Sequence, residues 1–162
     1  MSRFIEIDFS QLSNILADLQ KVSDRAADLK PVARLVGLVI SSYTDEVFNS
    51  VPSTRSGGVV FNGQRWQPLK ESTLKANKGK RRNGILLRDT GALLNSLQSS
   101  SNTTFSPRSA ENFFASGNDF IEFGTNLPQG FNNNTRTFLA HTDDLSELVA
   151  KALENYIING ET

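Results

Sequence analysis

A chain of 162 residues with 38% hydrophobic side chains, eleven Phe among them, is long and apolar enough to bury a core as one domain. It has no cysteine, which excludes disulfides and thiolate zinc sites. Its net charge is zero and its longest apolar run, "ARLVGLVI", is broken by Arg34 and Gly37, so no membrane span is expected.

The charge is unevenly spread. Residues 1–50 carry five basic and seven acidic side chains, residues 51–90 nine and two, and residues 91–162 three and eight. A basic centre between acidic flanks suits contact with DNA or an acidic neighbour, contact between copies of the chain, or a solvated loop. The opening "MSRFIEIDFS" has no long apolar stretch of the secretory kind, so cytoplasmic synthesis is the expectation.

"FIEID" alternates as a short edge strand would. After Ser10, residues Leu12, Ile15, Leu16, Leu19 and Val22 recur at helical spacing, a stripe that needs a buried face. Pro31 ends that helix and opens another, with Val32, Leu35, Val36, Val39, Ile40, Tyr43 and Val47 as its stripe. The two make a helical pair or one long kinked helix. Residues 51–84 turn polar and rich in Gly and Lys/Arg, which predicts a long basic loop, flexible at 74–84. Trp66, Pro68 and Leu69 form a packed anchor within it.

"ILLRDTGALLNSL" follows at 85–97, with Asp89 or Thr90 placed to cap a short helix carrying Leu93, Leu94 and Leu97. From about Ser96, "SLQSSSNTTF", "ENFFASG" and "DFIEFG" read as a small antiparallel sheet. Thr142 or Asp143 then caps a last helix whose face is Leu145, Leu148, Val149, Ala152, Leu153 and Tyr156. The terminal "NGET" should fray. The fold class is α+β: N-terminal helices and a C-terminal helix packed on a small antiparallel sheet, with a long basic loop.

Chemistry is sparse. Asp89-Thr90-Gly91 resembles the loop that supplies an aspartic-protease carboxylate, but that reaction needs two such carboxylates sharing a proton, and the chain has one copy. His141, the one histidine, precedes Thr142, Asp143 and Asp144 without the helical spacing that converges metal ligands. Neither "GGVVFNGQRW" nor "NKGKRRNG" has the spacing of a phosphate-binding loop. No catalytic, metal or cofactor site is expected, and the chain reads as a non-enzyme. Lys75, Lys78, Lys80, Arg81 and Arg82 are candidate DNA-facing or interface residues, since such a run neutralises phosphates without reading bases.

"RWQPLKESTLKANKGKRRNGILLRDTGALLNSL" resembles the central signature of the phage virion morphogenesis family, the tail-completion proteins of contractile-tailed Mu-like and P2-like phages. The matching residues are Trp66, Pro68, Leu69, Thr73, Ile85, Leu86, Thr90, Gly91, Leu93 and Ser96. Further on, Phe123-Gly124 resembles the family's Phe-Gly turn, and Arg136, Phe138 and Leu139 its Arg-x-Phe-Leu element. The chain departs at "NDFIEFG", where the family often has Tyr-Ala and a His, and at Asn134–Thr137, where it has Pro-Ala-Arg-Pro.

The resemblance implies a single virion morphogenesis domain over residues 1–162. It implies a structural component of the head–tail neck or tail terminus, made in the host cytoplasm and located in the virion. Its partners would be further copies in a closed ring, a hexamer being one such form, together with tail tube, sheath or connector proteins. Nonspecific contact with packaged DNA through the 75–82 loop is the alternative role.

Overall fold

The computed structural model describes residues 10–76, 86, 91–128 and 136–161. Two helices lead the chain, α1 (Ser10–Ala27) and α2 (Lys30–Asn49). They are separate helices. Pro31 occupies the first turn of α2, where a missing amide leaves no intrahelical bond unmade, and the Asp28 carboxylate accepts from the Lys30 amide at 3.1 Å. An antiparallel hairpin of two short strands follows, β1 (Gly58–Val59) and β2 (Arg65–Trp66), then helices α3 (Glu71–Ala76) and α4 (Ala92–Leu97). Strands β3 (Asn112–Ser116) and β4 (Ile121–Thr125) pair antiparallel with Phe114 opposite Phe123, and helix α5 (Asp143–Asn159) comes last. The architecture is the expected α+β arrangement.

α2 is buried on more than one side because it serves two cores. Its first half sets Val32 and Val36 against Ala152 and Tyr156 of α5. Its second half sets Tyr43, Val47 and Phe48 among Val60, Trp66, Leu86, Leu93, Leu97 and Phe138. Between them the aromatic edge of β3–β4 rests on the helix backbone at Gly37. A Cβ there would lie 2.8 Å from the Phe114 ring and 3.0 Å from Phe105, so a larger residue would push the sheet away. Arg34 fastens the same contact: its Nη1 donates to the Phe105 carbonyl at 2.9 Å, and its own carbonyl accepts from the Phe105 amide at 3.1 Å.

α5 is capped as its sequence suggests. The Thr142 side chain accepts from the Leu145 amide at 3.2 Å, and Asp143 and Asp144 sit in the first turn beside the positive end of the helix dipole. At the other end Gly160, in left-handed backbone, closes the helix by donating to the Tyr156 carbonyl at 2.8 Å.

Several other expectations are corrected. The middle of the α1 stripe is not buried: Ile15, Leu16 and Leu19 are 54%, 59% and 59% exposed, while Val22 is half-buried. Residues 51–76 are not a plain loop but hold the β1–β2 hairpin and α3, and Leu74, Lys75 and Ala76 are helical rather than part of a flexible loop. "SLQSSSNTTF" makes no strand. After Leu97 ends α4 there is a single bridge, Ser99 to Pro107, and the Ser99 and Ser101 hydroxyls accept the amides that a ladder would use. The N-cap of α4 is Gly91, in left-handed backbone and without a side-chain cap, rather than Asp89 or Thr90. Leu148 is exposed on α5 and Pro68 is exposed beside Trp66. The "FIEID" strand, Ile85, Asp89, Thr90, Lys78, Lys80, Arg81 and Arg82 lie outside the described residues.

Trp66, the single tryptophan, is 1% exposed and contacts Phe48, so its emission reports on the core where three chain segments meet. Phe48→Ala is expected to lower the unfolding free energy by about 3–5 kcal/mol, measured by denaturant titration of that emission.

Candidate interaction surface

The residues that carry the family resemblance are mostly interior. Trp66, Leu86, Leu93, Ser96 and Phe138 are buried, while Leu69, Thr73, Phe123, Gly124, Arg136 and Leu139 are half-buried. Their contacts are structural. Phe48 meets Trp66 edge-on, with ring centres 6.5 Å apart, and Phe138 at 5.7 Å. The Trp66 Nε1 donates to the Thr137 carbonyl at 3.3 Å, Asn62 Nδ2 donates to the same oxygen at 3.1 Å, and Arg136 Nη2 donates to the Gln67 carbonyl at 3.2 Å. The Ser96 hydroxyl lies 2.8 Å from the Leu93 carbonyl and 2.7 Å from the Thr125 hydroxyl, which ties α4 to β4.

The hairpin reaches Pro68 across a close passage at Gly57. That residue has φ +62°, and a Cβ on it would lie 2.4 Å from the Trp66 carbonyl oxygen. The signature therefore holds the hairpin, α4 and residues 136–139 on the end of α2.

The residues considered for chemistry are not brought together. His141 is exposed, its Nε2 3.1 Å from the Ser146 hydroxyl. Glu111, exposed in the turn before β3, has its carboxyl held below the usual range by the Ser109 hydroxyl and by its own backbone amide, with no partner suited to proton transfer. Among the described residues no group of three His, Asp or Glu converges as metal ligands. Of the five basic candidates only Lys75 is described: it is exposed, 3.8 Å from the Glu71 carboxylate one helical turn earlier. No helix among the described residues is long and apolar enough to cross a membrane.

What remains exposed and apolar is more informative. Every residue of α1 from Asn14 to Gln20 is exposed, including the Ile15–Leu16–Leu19 stripe. At the other end of α2, Val59 and Phe61 of the hairpin are exposed at 60% and 52%, and Phe61 stands edge-on to Tyr43 with ring centres 5.4 Å apart. Beside them lies an open, mainly apolar hollow of about 240 Å³ bounded by Tyr43, Thr44, Phe138, Leu139, Ala140, His141 and Leu145. The Tyr43 hydroxyl shares a 2.7 Å hydrogen bond with that of Thr142, which fixes the ring in its wall. A second cavity of about 280 Å³, between α2 and residues 99–108, is lined by hydroxyls with Asp45 and Arg108, both bonded to the Gln98 amide group.

Sequence reasoning missed Phe61 and the hollow. The available signal was Asn62-Gly63, a hairpin turn pair set between Val59-Val60 and Arg65-Trp66.

Comparison with family models finds that residues 7–110 match the phage virion morphogenesis family. Comparisons with curated proteins and with solved structures find no match.

Because the α1 stripe is uncovered, Leu16→Ser and Leu19→Ser should each change the stability of the dilute chain by no more than about 0.5 kcal/mol. Leu97→Ala, at a fully buried site, should cost about 2–5 kcal/mol in the same urea titration.

Proposed function

Because the chain belongs to the phage virion morphogenesis family, we propose that it forms a closed ring at the head–tail neck or tail terminus. There it completes or terminates the tail and supports head–tail joining. As a member of that family the chain is a non-enzymatic protein with a structural role in phage assembly. We take residues 1–162 as one domain of this kind, placed in the virion, with partners among tail tube, sheath or connector proteins.

The observation that carries the reading is the family match over residues 7–110. The geometry supports it in two ways. The residues Trp66, Leu69, Leu86, Leu93 and Phe138 build a scaffold rather than a reactive centre. The surface left over offers exposed apolar groups at separate places on one chain, which is what subunit contacts need.

A DNA-facing neck protein using Lys75, Lys78, Lys80, Arg81 and Arg82 is the alternative; of these residues Lys75 is described, exposed and 3.8 Å from the Glu71 carboxylate.

The purified protein, alone or with added tail tubes, is expected to give closed rings by negative-stain electron microscopy. A chain that stays monomeric in the presence of both tubes and connectors contradicts the reading.

A further inference from the structure

We propose that the elbow between α1 and α2 is a clamp, closed by the Tyr156 hydroxyl, that holds α1 at one preset angle to the body formed by α2, α5 and the β3–β4 hairpin. The device belongs to the single chain and does not depend on the ring proposed above.

The elbow is short, Asp28 and Leu29, and its polar groups are bonded on both sides. The Asp28 carbonyl accepts from the Tyr156 hydroxyl at 3.0 Å. The Leu29 amide donates to the Asn118 carbonyl, in the turn between β3 and β4, at 2.9 Å. The Asp28 amide donates back to the Arg25 carbonyl at 3.3 Å, and the Asp28 carboxylate accepts from the Lys30 amide at 3.1 Å. Pro31 restricts the backbone just beyond. Leu29 packs against Val32, Val36, Ala152 and Tyr156, so the elbow is also seated in the core between α2 and α5.

Tyr156 is placed to lock this joint. It is 5% exposed, with its ring in that core, its hydroxyl on the elbow and its carbonyl 3.4 Å from the Arg25 Nη1 that donates to it. One residue of α5 thus grips the elbow and the last turn of α1 together. Arg25 Nε carries the grip one turn further by donating to the Lys21 carbonyl at 3.1 Å. The guanidinium fits because Gly160 has no side chain: a Cβ there would lie 2.7 Å from Nη1. Swinging α1 away would strand the Asp28 carbonyl and the Leu29 amide at a joint partly closed to water, which is costly. Residues 14–20 are exposed throughout and supply no such restraint, so the direction of α1 is set at its root. An arm fixed in advance loses less freedom on contact than one that must first be ordered, which suits a protein whose role is assembly.

The chain has no native cysteine, so spin labels can be placed at chosen positions. Ala17→Cys on α1 and Lys151→Cys on α5, both at exposed sites, are labelled together in the full-length chain, kept dilute. Electron–electron double resonance should then give one narrow distance distribution. A broad or multiple distribution would overturn the clamp.

The role of Tyr156 as the positioning residue is read by amide hydrogen exchange. Tyr156→Phe removes only the hydroxyl, and should speed exchange of the Leu29 amide about two- to tenfold more than that of Val36 within α2. Arg25→Met, which leaves the core ring in place, should accelerate the same amide in the same direction. Equal acceleration at Leu29 and Val36 would mean that Tyr156 supports the whole core rather than the elbow. That result, or an unchanged Leu29 amide in both variants, would overturn the assignment.

Discussion

Phe48 sits between Trp66 and Phe138, and the core that also holds Tyr43, Val47, Val60, Leu86, Leu93 and Leu97 is built around that contact. It joins three segments far apart in the chain: the end of α2, the second strand of the hairpin, and the irregular stretch before α5. A hairpin of two-residue strands has too few ladder bonds to persist in water by itself. Aromatic pairs of this geometry contribute about 0.5–1.5 kcal/mol each beyond the area they bury. The Trp66 and Asn62 donors on the Thr137 carbonyl give the arrangement direction, because an indole N–H buried without an acceptor would be costly.

From that constraint the division of labour along α2 follows. Its second half is committed to the aromatic cluster and its first half to α5, with Gly37 admitting the β3–β4 aromatics between them. Trp66, Leu86, Leu93, Ser96 and Phe138, which carry the sequence resemblance, are buried in the body so formed. Gly91 is the N-cap of α4, whose Leu93 and Leu97 enter the same core as Leu86. The exposed apolar groups lie elsewhere, on α1 and on the hairpin beside Tyr43.

Much of the architecture was legible in the residues. The break at Pro31, the stripe of α2, the Thr142 cap and the two strands "NFFAS" and "IEFGT" all follow from local rules that tertiary structure did not overrule. Other features were hidden for physical reasons. Periodicity shows that α1 has an apolar face but is silent on what covers it, so Ile15, Leu16 and Leu19 read as core residues although the fold leaves them exposed. Two-residue strands carry no alternation to detect, which left Asn62-Gly63 as the only sign of the hairpin. Phe105 lies alone in a Ser/Thr run whose hydroxyls take up backbone amides, yet it is fully buried, because Gly37 and Arg34 of α2 receive it. The hollow was beyond sequence reasoning altogether, since Tyr43, Phe138 and Leu145 meet only through the fold.

The central claim, that this chain is a structural part of the head–tail neck or tail terminus, is tested most directly by electron microscopy of phage lysates in which it is not made. The account predicts heads and tails that accumulate separately, or tails without a completed end, with joining restored when the wild-type chain is supplied. Intact, fully joined particles in its absence would contradict it.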